Sequence, residues 1–330
     1  SHTSKLSWVG VVAVLCGLGV SGLSTYSVAQ AQTAAPEAHM DQARWVQVPG
    51  ELIRPDCVHA VPKGAMVEVA DDGHITGDVT LNGAVVAHYD ACPEKPVITR
   101  PSARTESEPV PAGNGWVVAS EWGLPLSASD NIDLMSGTWT VPQYPLNNGA
   151  LIYIFNGIEP QGGAWILQPV LQYGTSPAGG GNYWGIASWL VGGDEYAFHS
   201  PLETVYPGDS IFGYTKMTAI SGSTPYWTVE ATDETRGPYS WIKTHYVSGQ
   251  HWTWAYAAVL EAYNVTSCLQ FPANGKVTFN DATVDHGFPY YDVEAGNGWF
   301  GHIFAYGGPP CGFQVTASEE STLQWEDVSF

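Results

Sequence analysis

Between Ser136 and Val191 the chain reads SGTWTVP (136–142), IFNGIE (154–159), WILQPVLQYG (165–174) and YWGIASWLV (183–191). Each run is short, rich in β-branched and aromatic residues, and bounded by Gly, Pro or Asn, which is strand rather than helix composition. The same texture continues downstream through EYAFHS, SIFGYTKMTAI, PYWTVEATDE, WAYAAVLEAYNV, GKVTFNDATV and GFQVTAS, with no long helical period. Many short strands separated by Gly- and Pro-rich turns predict an all-β sandwich or barrel over residues 116–330.

Upstream, the organisation changes. Residues 32–97 begin with a polar leader and then carry MVEVA, HITGDVTLNG and AVVAHYD, separated by Asp72-Gly73 and Asn82-Gly83. Those dipeptides mark tight hairpins, so a small β module is expected. Residues 98–115, rich in Pro, Ser and Glu, read as a linker. The module is too small to bury much core alone, so it needs a disulfide or a docking surface. It reads either as a propeptide that masks a groove or as a permanent accessory domain.

The first 31 residues place Lys5 ahead of an apolar core from Trp8 to Val20, followed by Ala29-Gln30-Ala31. That is the pattern of a cleaved secretory signal, and its core falls short of the ~20 residues a membrane-spanning helix needs. The expectation is a secreted protein without stable membrane association after cleavage. Four cysteines remain beyond the signal: Cys57, Cys92, Cys268 and Cys311. An even number in an exported chain points to two disulfides. Of the three possible pairings, the separations favour Cys57–Cys92 and Cys268–Cys311.

The chain holds 32 acidic against 11 basic residues, a net charge of −21, and losing Lys5 makes the mature part more acidic still. Such a surface repels nucleic acid and anionic lipid, which excludes both as partners. Only 13% of residues are charged, so few ion pairs exist for acid to break, which suits an acidic medium. No cysteine pair has zinc-ligand spacing, and His199, His245, His251, His286 and His302 show no H-E-x-x-H pattern. No metal or cofactor is expected. Asn264-Val265-Thr266 is a glycosylation sequon for a host that uses such sites.

The order of motifs from SGTWTVP through WILQPVLQYG and YWGIASWLV to WAYAAVLEAY resembles the eqolisins, the secreted acid-acting glutamic peptidases. The resemblance covers about 200 residues, from Trp116 to the C-terminus, and excludes the first module. It implies a concanavalin A-like jelly roll of two curved antiparallel sheets, with a substrate groove on a concave face. It also implies a Gln–Glu pair in which the carboxylate activates water and the amide supports the oxyanion.

Carried over residue by residue, Gln168 in Ile166-Leu167-Gln168 matches the family's Gln. Glu159, after Gly157-Ile158, matches a groove acid, and Glu261 matches an internal carboxylate. Phe155 stands where the family has Trp, and Gln172 stands where it has an acid. Ser188, before Trp189, occupies the position of the catalytic Glu and has no carboxylate to offer. The nearest acids in sequence, Asp194 and Glu195, follow a Gly-Gly turn.

Two hypotheses follow. The first is an acid-acting endopeptidase with Gln168 as oxyanion stabiliser and Glu159 or Glu261 as acid/base. Phe155, Gln172, Trp184, Ser188 and Trp189 would then contact a polypeptide substrate. The second is a non-catalytic sandwich that binds peptide or glycan in the same groove, a reading that Ser188 favours. A sandwich glycoside hydrolase is a third possibility, but its Glu-x-Asp-x-x-Glu strand motif is absent.

Overall fold

The computed structural model describes residues 45–69, 75–99, 114–124, 131–163, 165–192, 196–221, 224–245, 251–288, 292–293, 298–304 and 311–326. The signal, the leader, most of the 98–115 linker, Asp72-Gly73, Asp194 and Glu195 lie outside these residues. In chain order, the N-terminal segment forms β1 Val46–Val48, β2 Glu51–Ile53, β3 Val58–Ala60, β4 Met66–Val69, β5 Ile75–Leu81, β6 Ala84–His88 and β7 Val97–Ile98. Next come β8 Asn114–Gly123, β9 Ile132–Thr140, β10 Leu151–Pro160, β11 Trp165–Ser176, β12 Gly179–Gly192, β13 Tyr196–His199, β14 Glu203–Val205, β15 Ser210–Ser221, β16 Thr224–Asp233, β17 Tyr239–His245 and β18 Trp252–Tyr263. The last strands are β19 Lys276–His286, β20 Asp292–Val293, β21 Phe300–Ile303, β22 Gln314–Thr316 and β23 Ser321–Gln324.

These strands build the expected two-sheet sandwich. One sheet runs β21-β8-β18-β10-β11-β12-β13-β3, with β14 also on β12. The other runs β22-β23-β19-β9-β15-β16-β17-β4-β5-β6, with β20 on β19. Its central strands pair antiparallel. Two parallel pairs depart from the antiparallel expectation, β3 on β13 and β4 on β17. Both lie where the N-terminal segment adds itself to an existing sheet edge. This segment therefore contributes to both sheets, besides forming a third small sheet, β1-β2-β7. Its β5–β6 hairpin turns at Asn82-Gly83 with φ of 52° and 81°, the left-handed pair that a tight two-residue hairpin requires.

Strand alternation divides the first sheet into two unlike faces. Leu167, Leu171 and Tyr173 of β11 pack with Ile152 and Ile154 of β10 against residues of the second sheet, including Met135, Trp139, Val229 and Ile242. Ile166 and Val170 point the other way, into a cluster with Phe155, Trp189 and Val259 that is capped by Val48, Ile53 and Cys57. The sandwich core is thus on one face, and the N-terminal segment covers the other. Cys57–Cys92 and Cys268–Cys311 are both bonded, as the separations favour.

Candidate functional site

The face beneath the N-terminal segment carries buried polar residues, whereas the sandwich-core face of β10, β11 and β18 is mainly apolar. Gln168 lies across from Trp189 on β12 and from Gly157 on β10, which in turn faces Tyr256 on β18. A Cβ at Gly157 would meet the Leu167 carbonyl oxygen at 2.6 Å and the Gln168 Cβ at 3.2 Å, so glycine there gives Gln168 its room. Four residues further along β10 and β11, beyond the row of Val170, Phe155 and Val259, Gln172, Tyr153 and Glu261 form a second polar row. A β-bulge in β18 makes this possible. A three-residue step in β18, from Tyr256 to Val259, lies opposite a two-residue step in β10, from Gly157 to Phe155, which turns Tyr256 and Glu261 onto the same face.

The polar groups are paired closely. The Tyr256 hydroxyl donates to Glu159 Oε2 at 2.5 Å. The Tyr263 hydroxyl donates to Glu261 Oε1, and Thr99 Oγ1 lies 2.6 Å from that hydroxyl. Burial, and then the Glu261 charge, push the Tyr153 and Tyr263 phenols well above their ordinary range, so both stay protonated donors. Glu159, Gln168 and Glu261 are all fully buried. Buried carboxyl groups persist only when their hydrogen bonds are made, and tyrosines on β18 make them for both acids.

What covers Gln168 and Glu261 is the tip of the β1–β2 hairpin. Val48 pairs with Glu51, leaving Pro49-Gly50 as a two-residue loop with Gly50 at φ 90°. In such a turn the central peptide unit makes no hydrogen bond within the hairpin, so when buried it must find partners elsewhere. It finds them in the site. Gln168 Nε2 donates to the Pro49 carbonyl at 3.2 Å. The Gly50 N–H donates to Glu261 Oε1 and Oε2 at 2.8 and 3.1 Å. One peptide unit is therefore held at its oxygen by an amide and at its nitrogen by a carboxylate. Gln168 Oε1 has no hydrogen-bond partner among the described residues.

The residues singled out in the sequence separate by strand parity. Gln168, Glu159, Glu261, Phe155 and Trp189 share the covered face. Gln172 does too, but its amide is spent on the β11–β12 hairpin, donating to Gly174 and Gly179 carbonyls at 2.9 Å each and accepting from Ser176 at 2.7 Å. Trp184 and Ser188 do not belong to this face. Trp184 packs in the sandwich core, and Ser188 Oγ lies 3.2 Å from Ser240 Oγ on β17 of the opposite sheet. Trp189 faces the site, so alternation sends its neighbour Ser188 inward, and a carboxylate at 188 would point into the core. The assignment of both as substrate contacts is corrected accordingly. Tyr153, Tyr256, Tyr263 and Pro49-Gly50 were missed. Two-residue spacing in L-E-A-Y links Glu261 to Tyr263, and V-P-G-E between apolar runs is a turn signal. Among the described residues no group of three or more His, Cys, Asp or Glu is placed to hold a metal ion.

No family model and no curated protein matches the chain. Solved structures resemble it in outline. A scytalidoglutamic peptidase bound to a peptide-based transition-state analogue has 14% identity and a TM-score of 0.41, covering 64% of this chain and 98% of that one. SCP-B, an eqolisin-family peptidase in complex with the tripeptide Ala-Ile-His, has 15% identity and a TM-score of 0.37 over the same shares. A CBM2 module of an evolved Dit from Lactobacillus casei BL23 phage J-1 has 11% identity and a TM-score of 0.27, over 52% of this chain and 83% of that one. At this distance the likenesses assign no residue a role.

Proposed function

We propose that this chain is a secreted endopeptidase of glutamic-peptidase type that acts in acid, with Gln168 and Glu261 at the scissile peptide. The observation that supports this reading is the grip on Pro49–Gly50, in which an amide donor meets the carbonyl oxygen and a carboxyl group meets the nitrogen. Hydrolysis needs a donor at the oxygen and an acid within reach of the nitrogen. As water adds to the carbonyl carbon, charge develops on the oxygen, where the Gln168 amide is already oriented to stabilise it. Glu159, diagonal to Gln168 and held by Tyr256, takes the proton from the attacking water. Glu261 in its protonated form delivers a proton to the nitrogen as the C–N bond breaks, giving a free acid and a free amine. Acid favours that form of Glu261.

In the form described, the hairpin occupies the position of a substrate. It is held through its own peptide carbonyl and N–H, so turnover requires the hairpin tip to withdraw. This matches the propeptide alternative for residues 32–97.

The test is cleavage of an unfolded protein by the purified chain at about pH 4, where a carboxylic acid is available as proton donor. Gln168→Ala should abolish cleavage while leaving the far-ultraviolet circular dichroism unchanged. Full activity in that variant would remove Gln168 from the mechanism. Saturable peptide binding without cleavage at any pH would establish the non-catalytic alternative instead.

A further inference from the structure

The resident hairpin also reports what the site selects. Val48, Pro49, Gly50 and Glu51 are all buried, so the tip is a fitted occupant rather than a loop lying across the surface. Three features of this fit are chemical. Proline has no N–H, so residue 49 brings only its carbonyl to Gln168 and leaves no donor to satisfy under the cover. Gly50 sits at φ 90°, a conformation that residues with a Cβ rarely adopt, and this orients its N–H onto Glu261. Val48 packs in the same cluster as Phe155, Val170, Trp189 and Val259, which form an apolar wall for the residue preceding proline. A Pro-Gly pair is also pre-set for this turn, so little ordering remains to be done on binding.

We propose that the Gln168–Glu261 site is specific for a Pro–Gly turn preceded by an apolar residue, with proline on the carbonyl side of the gripped peptide and glycine on its nitrogen side. The ligands are therefore turn-forming, Pro/Gly-rich polypeptides. The recognition depends only on the grip. Cleavage of such ligands depends also on the peptidase reading above.

The experiment uses the full chain with both disulfides intact and Gly50→Asp at the tip. That substitution adds a Cβ at φ 90° and a negative charge beside Glu261, so the chain's own tip no longer fits. Two capped peptides, Gln-Val-Pro-Gly-Glu-Leu and Gln-Val-Ala-Ala-Glu-Leu, are titrated into it by calorimetry at about pH 4, and the mixtures are then analysed by mass spectrometry. We expect the Pro-Gly peptide to bind about tenfold or more tightly, with the preference lost when Gln168→Ala is added. Scission between its Pro and Gly would support recognition and peptidase together. Selective binding of a peptide that stays intact would keep the specificity and overturn the peptidase reading. Equal binding of both peptides, or binding of neither, would overturn the specificity whatever happens to a protein substrate. A second measurement covers a Gly50→Asp chain that does not fold. In the unaltered chain, the Pro-Gly peptide should accelerate hydrogen exchange of the Gly50 amide by trapping the withdrawn tip, and the Ala-Ala peptide should not. No acceleration by either peptide counts against the proposal.

Discussion

The two faces of the first sheet differ in what covers them and in how that cover responds to acid. Its sandwich-core face meets the second sheet through large apolar side chains such as Leu167, Leu171 and Trp139. Its other face meets the N-terminal segment through Gln168, Glu261 and Tyr153, which bond Pro49, Gly50 and Gln47. An apolar interface is indifferent to protonation, whereas a polar one has hydrogen bonds to exchange with a ligand. The first arrangement joins the two sheets, and the second holds the Pro49-Gly50 peptide unit by its own hydrogen bonds. The titratable groups around them point the same way. Burial raises Asp133, Asp233 and Asp285 in the second sheet, while it lowers His59 and His199 where β3 joins β13.

The strongest way to break this comparison is Glu261→Gln. The glutamine oxygen still accepts from the Gly50 N–H, so the hairpin should stay seated, yet no acid remains to protonate the leaving nitrogen. Cleavage should fall about 10²- to 10⁴-fold at unchanged thermal midpoint. A variant that loses its fold instead would make Glu261 structural.

Next are the disulfides. Their loops are of similar size, with separations of 35 and 43 residues, so chain entropy alone assigns each about 4 kcal/mol. Their locations differ. Replacing Cys268 and Cys311 by serine should lower global stability to denaturant. Replacing Cys57 and Cys92 should chiefly speed hydrogen exchange at Gly50 and increase cleavage. Equal global losses without faster exchange at Gly50 would mean that the hairpin is no more separable than any other element.

Acid supplies a third test. Asp133 is fully buried, and burial raises its pKa to about 6 even though the Phe288 N–H donates to it. Its protonated form is favoured in the folded state. That stability is complete below the unfolded value of 3.8 and is lost as pH rises through about 6. The expected loss is about 3 kcal/mol. Asp133→Asn should flatten this dependence in denaturant melts between those values.

The smallest expected effect has the opposite sign. His59 stacks on Tyr89 at 3.8 Å and faces His199, Tyr196, Phe198 and Asp56, and burial lowers its pKa to about 4. Neutral His59 stabilises the docked segment above the unfolded value of 6.5, and this contribution is lost as pH falls through about 4. Over that window docking should weaken by about 1–3 kcal/mol. Exchange of the Val61 amide, bonded to the His199 carbonyl, reports it. His59→Gln should abolish the dependence. The sandwich would therefore tighten in acid while the cover over the site loosens.

Much of this was legible in the chain itself. Recurrent short β-branched runs and Gly/Pro turns determined an all-β sandwich, because only strands use that composition at that length. Sequence separation pointed to both disulfides, whereas Gln168 was singled out only through the family resemblance of its I-L-Q strand. The facing of the central strands was not legible. β10 and β18 are buried throughout, and β11 and β12 are buried on both faces over their central residues. In a strand buried on both sides, alternation tells which residues are companions but not which face they share. Ser188 and Trp184 were misplaced for that reason, and Glu261 needed a bulge to join Tyr256. Only the tertiary structure decided that Pro49-Gly50, more than a hundred residues from Gln168 and more than two hundred from Glu261, supplies the peptide unit between them. No local rule carries that information, since a turn peptide with unmet hydrogen bonds will accept any donor and acceptor that the fold brings within reach.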